Sequence, residues 1–254
     1  MREGHHVIVH ASFRSIRAAF PGMTIEQVLH SLTNAVGRSG SLVMPAFTYC
    51  FKKFNGEQEI FDRLKTPSKT GALSEAFRRR VGVTRTSSAT HSFCIWGAIA
   101  NEISSTNSPN SPLGKGSILE WLTNIPDSFV LIMGVDFSAL SYGHYIEIVA
   151  GVPWADISPW SYLGVEDIGL SVEGEQKLHQ IPGCSKSFVN FENFLKNKRM
   201  FSSNKSGTLD STYISTTFLL TEGLKYFSAS DVDRLCPAGE CKVCDARRNI
   251  MSKK

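Results

Sequence analysis

Two short apolar runs, His6-Val7-Ile8-Val9-His10 and Ser41-Leu42-Val43-Met44-Pro45, bracket a stretch of helical periodicity, and this spacing constrains the fold more than any other feature. Each run has the length and apolar character of a buried strand. Between them, Thr24 and Gln27 form a capping-box pattern, and Ile25, Val28, Leu29, Leu32 and Val36 recur at helical spacing up to Gly37. Strand, helix and strand within about fifty residues make a βαβ unit, which implies an α/β fold with a mostly parallel central sheet. Further helices are expected over 70–78, 98–103, 117–122, 187–200 and 215–229, and further strands over 90–97 and 129–135. Trp154, Pro159 and Trp160 predict an irregular loop after Pro153, and the composition of residues 202–207 predicts a flexible one.

With 254 residues, 42% of them apolar, the chain is read as one domain over 1–254. Residues 1–150 bear the motifs, and residues 151–254 form a C-terminal part ending in a cysteine-containing tail. The start of the chain has no apolar signal region and no apolar run is long enough to cross a bilayer, so a cytoplasmic protein with reduced thiols is expected. A net charge of +4 is too small to announce a nucleic-acid partner. Its distribution is uneven: residues 1–116 carry 14 Lys and Arg against 7 acids, whereas residues 117–176 hold nine acids and no Lys or Arg. That pattern suggests a basic side for an anionic ligand and an acidic side for a cationic one.

The main chemical candidate is Ser141-Tyr142-Gly143-His144-Tyr145-Ile146-Glu147, which follows the strand at 129–135. On a helix starting near Ser141, His144 and Glu147 share a face, and the carboxylate can orient and charge-balance the imidazole as a general base. Other motifs are weaker. Gly114-Lys115-Gly116-Ser117 resembles a phosphate loop, but Pro109 stands where the first glycine belongs and Gly116 follows the lysine. No Gly-x-Ser-x-Gly elbow is present. Cys236, Cys241 and Cys244 have a spacing compatible with zinc, but a fourth ligand is needed, from Cys184 or a histidine; three reduced thiols in a turn are the alternative. A metal hydrolase built on His91, His144 and Glu147 lacks the His-Glu-x-x-His signature.

Several blocks then occur in a familiar order: Val9-His10-Ala11-Ser12-Phe13, Leu42 to Thr48, Phe61-Asp62 with Thr66 to Gly71, Arg85 with Thr90-His91-Ser92, Ser111-Pro112-Leu113, and Ser141 to Glu147. Together they resemble the aminoglycoside 3-N-acetyltransferase family, an antibiotic N-acetyltransferase type distinct from the GNAT enzymes. The resemblance implies a three-layer α/β/α sandwich and transfer of acetyl from acetyl-CoA to an amine of an aminoglycoside or related amino sugar. It implies His144 as general base and Glu147 as its orienting carboxylate, with no metal required for catalysis. Ser12, Phe13, Arg14, Thr70, Gly71, Ser92 and Ser111 fall where the family cradles CoA. Asp62 and His10 fall on the acceptor side. The expected partners are therefore small molecules, with neither nucleic acid nor membrane; a CoA- or sugar-binding module without catalysis is the alternative. Tyr142, Gly143 and Tyr145 depart from the family pattern and are expected to mark a difference in acceptor. Ala11 and Ser88-Ala89 are further departures.

Overall fold

The structure is a computed structural model that describes residues 1–103, 108–155, 164–179, 183–198, 200–201, 203–228 and 234–253. The expected βαβ unit is present. β1 (His6–Ala11) is followed by a short helix α1 (Phe13–Ala19) and by α2 (Ile25–Val36), and the chain returns as β2 (Ser41–Pro45), parallel to β1. Thr24 caps α2 as expected: its hydroxyl accepts from Gln27 N–H while Gln27 Oε1 accepts from Thr24 N–H at 2.8 Å. α1 lies between the first strand and the expected helix, with Ser12 as its N-cap.

Leaving β2, the chain makes β3 (Phe51–Lys53), α3 (Ala72–Arg78), β4 (Thr84–Arg85) and β5 (Phe93–Gly97). It continues through α4 (Ala100–Ile103), α5 (Ile118–Thr123), β6 (Ser128–Met133) and α6 (Ser141–Val149). β7 (Val165–Ser171) pairs with β3 on one side and with β8 (Gly174–Lys177) on the other, in a separate three-stranded sheet. Next come α7 (Phe188–Lys196), β9 (Ser203–Ser206), β10 (Leu209–Ser215), α8 (Thr216–Phe227) and α9 (Lys242–Met251).

The larger sheet has seven strands in the order β4-β5-β2-β1-β6-β10-β9. Only β2-β1 and β1-β6 are parallel; the four outer pairings are antiparallel. The expectation of a mostly parallel sheet is thus corrected to a mixed sheet with a parallel centre. Apolar runs report that a strand is buried, but not its direction, and parallel neighbours need a crossover that the later connections do not make. The loop expected over 202–207 is likewise corrected: Ser203–Ser206 is an edge strand joined to β10 in a hairpin. Pro159 and Trp160 lie outside the described residues.

The sheet is apolar on both faces. Val7, Val9, Leu42, Met44 and Leu131 pack against Val28, Leu29, Leu32 and Val36 of α2. Ile8, Val43, Val130 and Ile132 pack on the opposite side with residues of α5, α6, α7 and α8. Each fully buried aliphatic side chain stabilises the fold by about 1.5–3 kcal/mol, which fixes the register of the central strands. No helix among the described residues is long and apolar enough to cross a membrane.

Candidate active site

β1, β2 and β6 run in the same direction, so their carboxyl ends open together, and a cavity of about 330 Å³ lies there. His10, Ala11, Pro45 and Val135 contribute to its wall from the strand ends, and His144 from α6. This is the crevice position where open α/β sheets place their ligands, and the volume falls in the range of small-molecule sites.

His144 is buried, and its Nδ1 lies 2.8 Å from Oε2 of Glu147, one helical turn on. A carboxylate only accepts, so Nδ1 carries the proton and Nε2 keeps the lone pair in the neutral ring. The second carboxylate oxygen, Oε1, accepts from Trp154 Nε1–H at 2.9 Å. Glu147 is thereby held on both sides, out of water. The Phe188 ring of α7 rests against the imidazole, centroid to centroid 4.9 Å. Its approach requires the absence of a side chain at Gly143, where a Cβ would come within 2.4 Å of the ring.

Two more histidines line the same cavity. His10 Nε2 is buried without a hydrogen-bond partner, and burial pushes this imidazole down to about 4. His91 is pushed down to about 3 by burial and, secondarily, by His144, and its Nδ1 lies 2.9 Å from Thr90 Oγ1. Both rings are neutral at physiological pH; of the three, only His144 has a carboxylate partner. Among the described residues, His91, His144 and Glu147 do not converge into a metal-binding group.

The remaining expected site residues divide. Ser12, Phe13 and Arg14 open α1 just beyond the cavity-lining Ala11, with Ser12 Oγ accepting from Ser15 N–H and Arg14 exposed. Thr70 lines the cavity and donates to the Pro45 carbonyl at 2.6 Å. Gly71 caps α3 at φ 114°, a backbone conformation suited to glycine. Ser92 is wholly buried behind the wall: it donates to the Ala46 carbonyl at 2.8 Å and accepts from Arg85 Nε–H at 3.0 Å. Ser111 is also buried, and its carbonyl accepts from Gly114 N–H. Asp62 stands outside the cavity lining, where its carboxylate accepts from the Leu64 and Lys65 amides, which holds it below the usual carboxylate range. Cys236, Cys241 and Cys244 lie away from the cavity lining, clustered with Cys184.

Tyr142 and Tyr145 do not line the cavity. Tyr142 is fully buried with its hydroxyl 2.7 Å from Thr123 Oγ1, and both rings join the core on the α5 side of the sheet. Residues at successive helical positions cannot all share the face of His144. The acidic stretch is dispersed too: Glu175 pairs with Lys52, Asp136 caps a 3-10 turn, and no carboxylate is among the described lining residues. Trp154, Phe188 and Gln176 were not anticipated. Gln176 accepts from Ala89 N–H at 2.7 Å and donates to the Ser87 carbonyl, pinning the loop that carries His91.

The sheet and the cavity define an α/β protein with a histidine–carboxylate pair at a cavity of small-molecule size. A sequence profile of the aminoglycoside 3-N-acetyltransferase family matches residues 8–228, and the chain belongs to that family. It is 31% identical over 153 residues to aminoglycoside N(3)-acetyltransferase IV of Salmonella sp, an alignment covering 59% of this chain and 55% of that protein. The chain thus spans little more than half the length of that curated relative. In structure it is similar to the apoenzyme of aminoglycoside acetyltransferase AAC(3)-IVa, with a TM-score of 0.80, 25% identity, and 98% and 92% of the two chains covered. A histidine-to-alanine variant of that enzyme has been crystallised with a gentamicin. The fold is also shared with AAC-IIIb bound to CoASH, with a TM-score of 0.72, 18% identity, and 91% and 94% coverage.

Proposed function

We propose that the protein transfers acetyl from acetyl-CoA to an amino group of an aminoglycoside or related amino sugar, with His144 as general base and Glu147 orienting it. The observation that carries this reading is the buried Trp154–Glu147–His144 chain ending at the cavity. Family membership supplies the reaction class, and the gentamicin and CoASH complexes of relatives point to the two ligands.

An alkylammonium cannot attack a thioester, so a proton must leave the amine before or during attack. His144 Nε2 takes it as the N–C bond forms and the C–S bond breaks. CoA departs as thiolate and recovers a proton, while Glu147 stabilises the transient imidazolium. Neutral His10 and His91 add no cationic charge that would repel an ammonium acceptor. Ser12, Phe13 and Arg14 with Thr70 and Gly71 form our assignment for CoA; Ser92 and Ser111 would act through the wall rather than by contact. We read the described chain as one domain, its sheet layered between two sets of helices.

His144→Ala is expected to lower acetyl transfer about 10²–10⁴-fold with CoA binding retained. Thiol release measured over a panel of aminoglycosides and nucleotide-linked amino sugars identifies the acceptor. Near-normal turnover by the variant would remove the proposed base, and CoA binding without turnover on any amine would remove the enzymatic reading.

A further inference from the structure

The C-terminal cysteines come together with a residue more than fifty positions away. The Sγ atoms of Cys184, Cys236, Cys241 and Cys244 all lie within 4.8 Å of one another, and the Cys184–Cys236 pair is 3.7 Å apart. These distances are too long for disulfides, and all six cysteines are free. Four zinc–sulfur bonds of about 2.3 Å in a tetrahedron place their sulfurs about 3.8 Å apart, close to the Cys184–Cys236 contact and within the 4.8 Å that spans the cluster. A four-iron cluster would spread its ligands farther than this.

The surroundings suit thiolates. Cys241 caps α9 and Cys244 sits in its first turn, where the helix N-terminus favours negative charge. Lys186 N–H donates to Cys184 Sγ at 3.3 Å, and the Arg248 guanidinium donates to the Cys236 carbonyl. Arg247, 1% exposed, lies within electrostatic range of Cys184, Cys241 and Cys244, and also of Glu147. Such outer partners offset the charge of a four-thiolate site.

We propose that Cys184, Cys236, Cys241 and Cys244 form a mononuclear tetrathiolate Zn²⁺ site that fastens the cavity rim at Gly183–Ser185 to α9. Binding releases the thiol protons to solvent and leaves no open coordination position, so the metal is structural. Its position gives it leverage on the active site. Gly183 and Ser185 line the cavity, Ser185 donates to the Ser138 carbonyl at 2.5 Å, and Phe188 on the same segment supports His144. On the other side, Arg247 packs over Gly183, where a Cβ would lie 2.1 Å from Nη1.

The inference is independent of acetyl transfer, because its readout is metal content. The purified chain should contain about one zinc per chain, released when an organomercurial blocks the thiols in the presence of a chromophoric chelator. Replacement by Co²⁺ should give the intense d–d and thiolate charge-transfer absorption of a tetrahedral sulfur site. Cys184→Ser should lose the metal, with the thermal midpoint falling by about 10 °C or more, while Cys50→Ser keeps it. If Cys184→Ser fails to fold, the cobalt spectrum of the unmodified chain still decides. Zinc well below one equivalent after expression with zinc supplied, an octahedral cobalt spectrum, or iron in place of zinc would overturn the proposal.

Discussion

In the proposed mechanism His144 depends on Glu147, whose two oxygens are both occupied, one by the imidazole and one by Trp154. A buried carboxylate with one oxygen unsatisfied would swing or recruit a proton, and the imidazole would lose its fixed tautomer. Trp154→Phe keeps an aromatic ring, smaller than the indole, and removes the donor. A hydrogen bond to a charged group is worth about 1.5–3 kcal/mol, so kcat should fall roughly 10- to 100-fold with KM for acetyl-CoA little changed. Steady-state kinetics check the split; a rise in KM at constant kcat would make Trp154 a wall residue instead. The pairing of His144 and Glu147 was legible from a three-residue spacing on the helix expected after the strand at 129–135. Trp154 was not, because it lies beyond the helix and past Pro153, where no periodicity ties it back to Glu147.

α6 is shaped by what its neighbours need. Its residues alternate between the core, taken by Tyr142 and Ile146, and the cavity, taken by Ser141 and His144, while Gly143 leaves the space that Phe188 fills. Gly143→Ala puts a methyl against a rigid, fully buried ring, and such overpacking costs about 1–3 kcal/mol. The variant should show a lower thermal midpoint and a lower kcat together, since Phe188 supports the imidazole; a midpoint and kcat at the unmodified values would mean that α7 yields freely. At this scale the sequence was legible wherever an element buries an apolar face. The capping box at Thr24 and the central strands were read with nearly their observed limits. β9 was missed because Ser203, Asn204, Lys205 and Ser206 form an exposed edge with no apolar alternation. β7 was missed because Glu166 and Asp167 interrupt its pattern. Ser92 and Ser111 are small polar residues that a motif alone cannot assign to a ligand or to a wall.

Across the whole molecule, the parallel centre gathers three histidines at one cavity, and keeping two of them neutral has a consequence for stability. His10 and His91 are depressed from 6.5 to about 4 and about 3, mainly by burial, so between those values and pH 6.5 the unfolded chain binds protons that the folded chain refuses. Stability therefore rises with pH in that window: it is lost as pH falls below 6.5, and each group's loss is complete only below its folded value. At a pH of about 5 each ring costs about 2 kcal/mol relative to a pH of about 7.5. Glu75 acts in the same direction at lower pH, because hydrogen bonds from Arg78 hold its carboxyl down to about 2. His10→Phe removes one titrating ring while roughly preserving volume. Denaturant unfolding of both chains at these two pH values should show the variant losing about 2 kcal/mol less on acidification than its parent. An equal loss in both would mean that water reaches His10 and that the cavity is wetter than its wall implies.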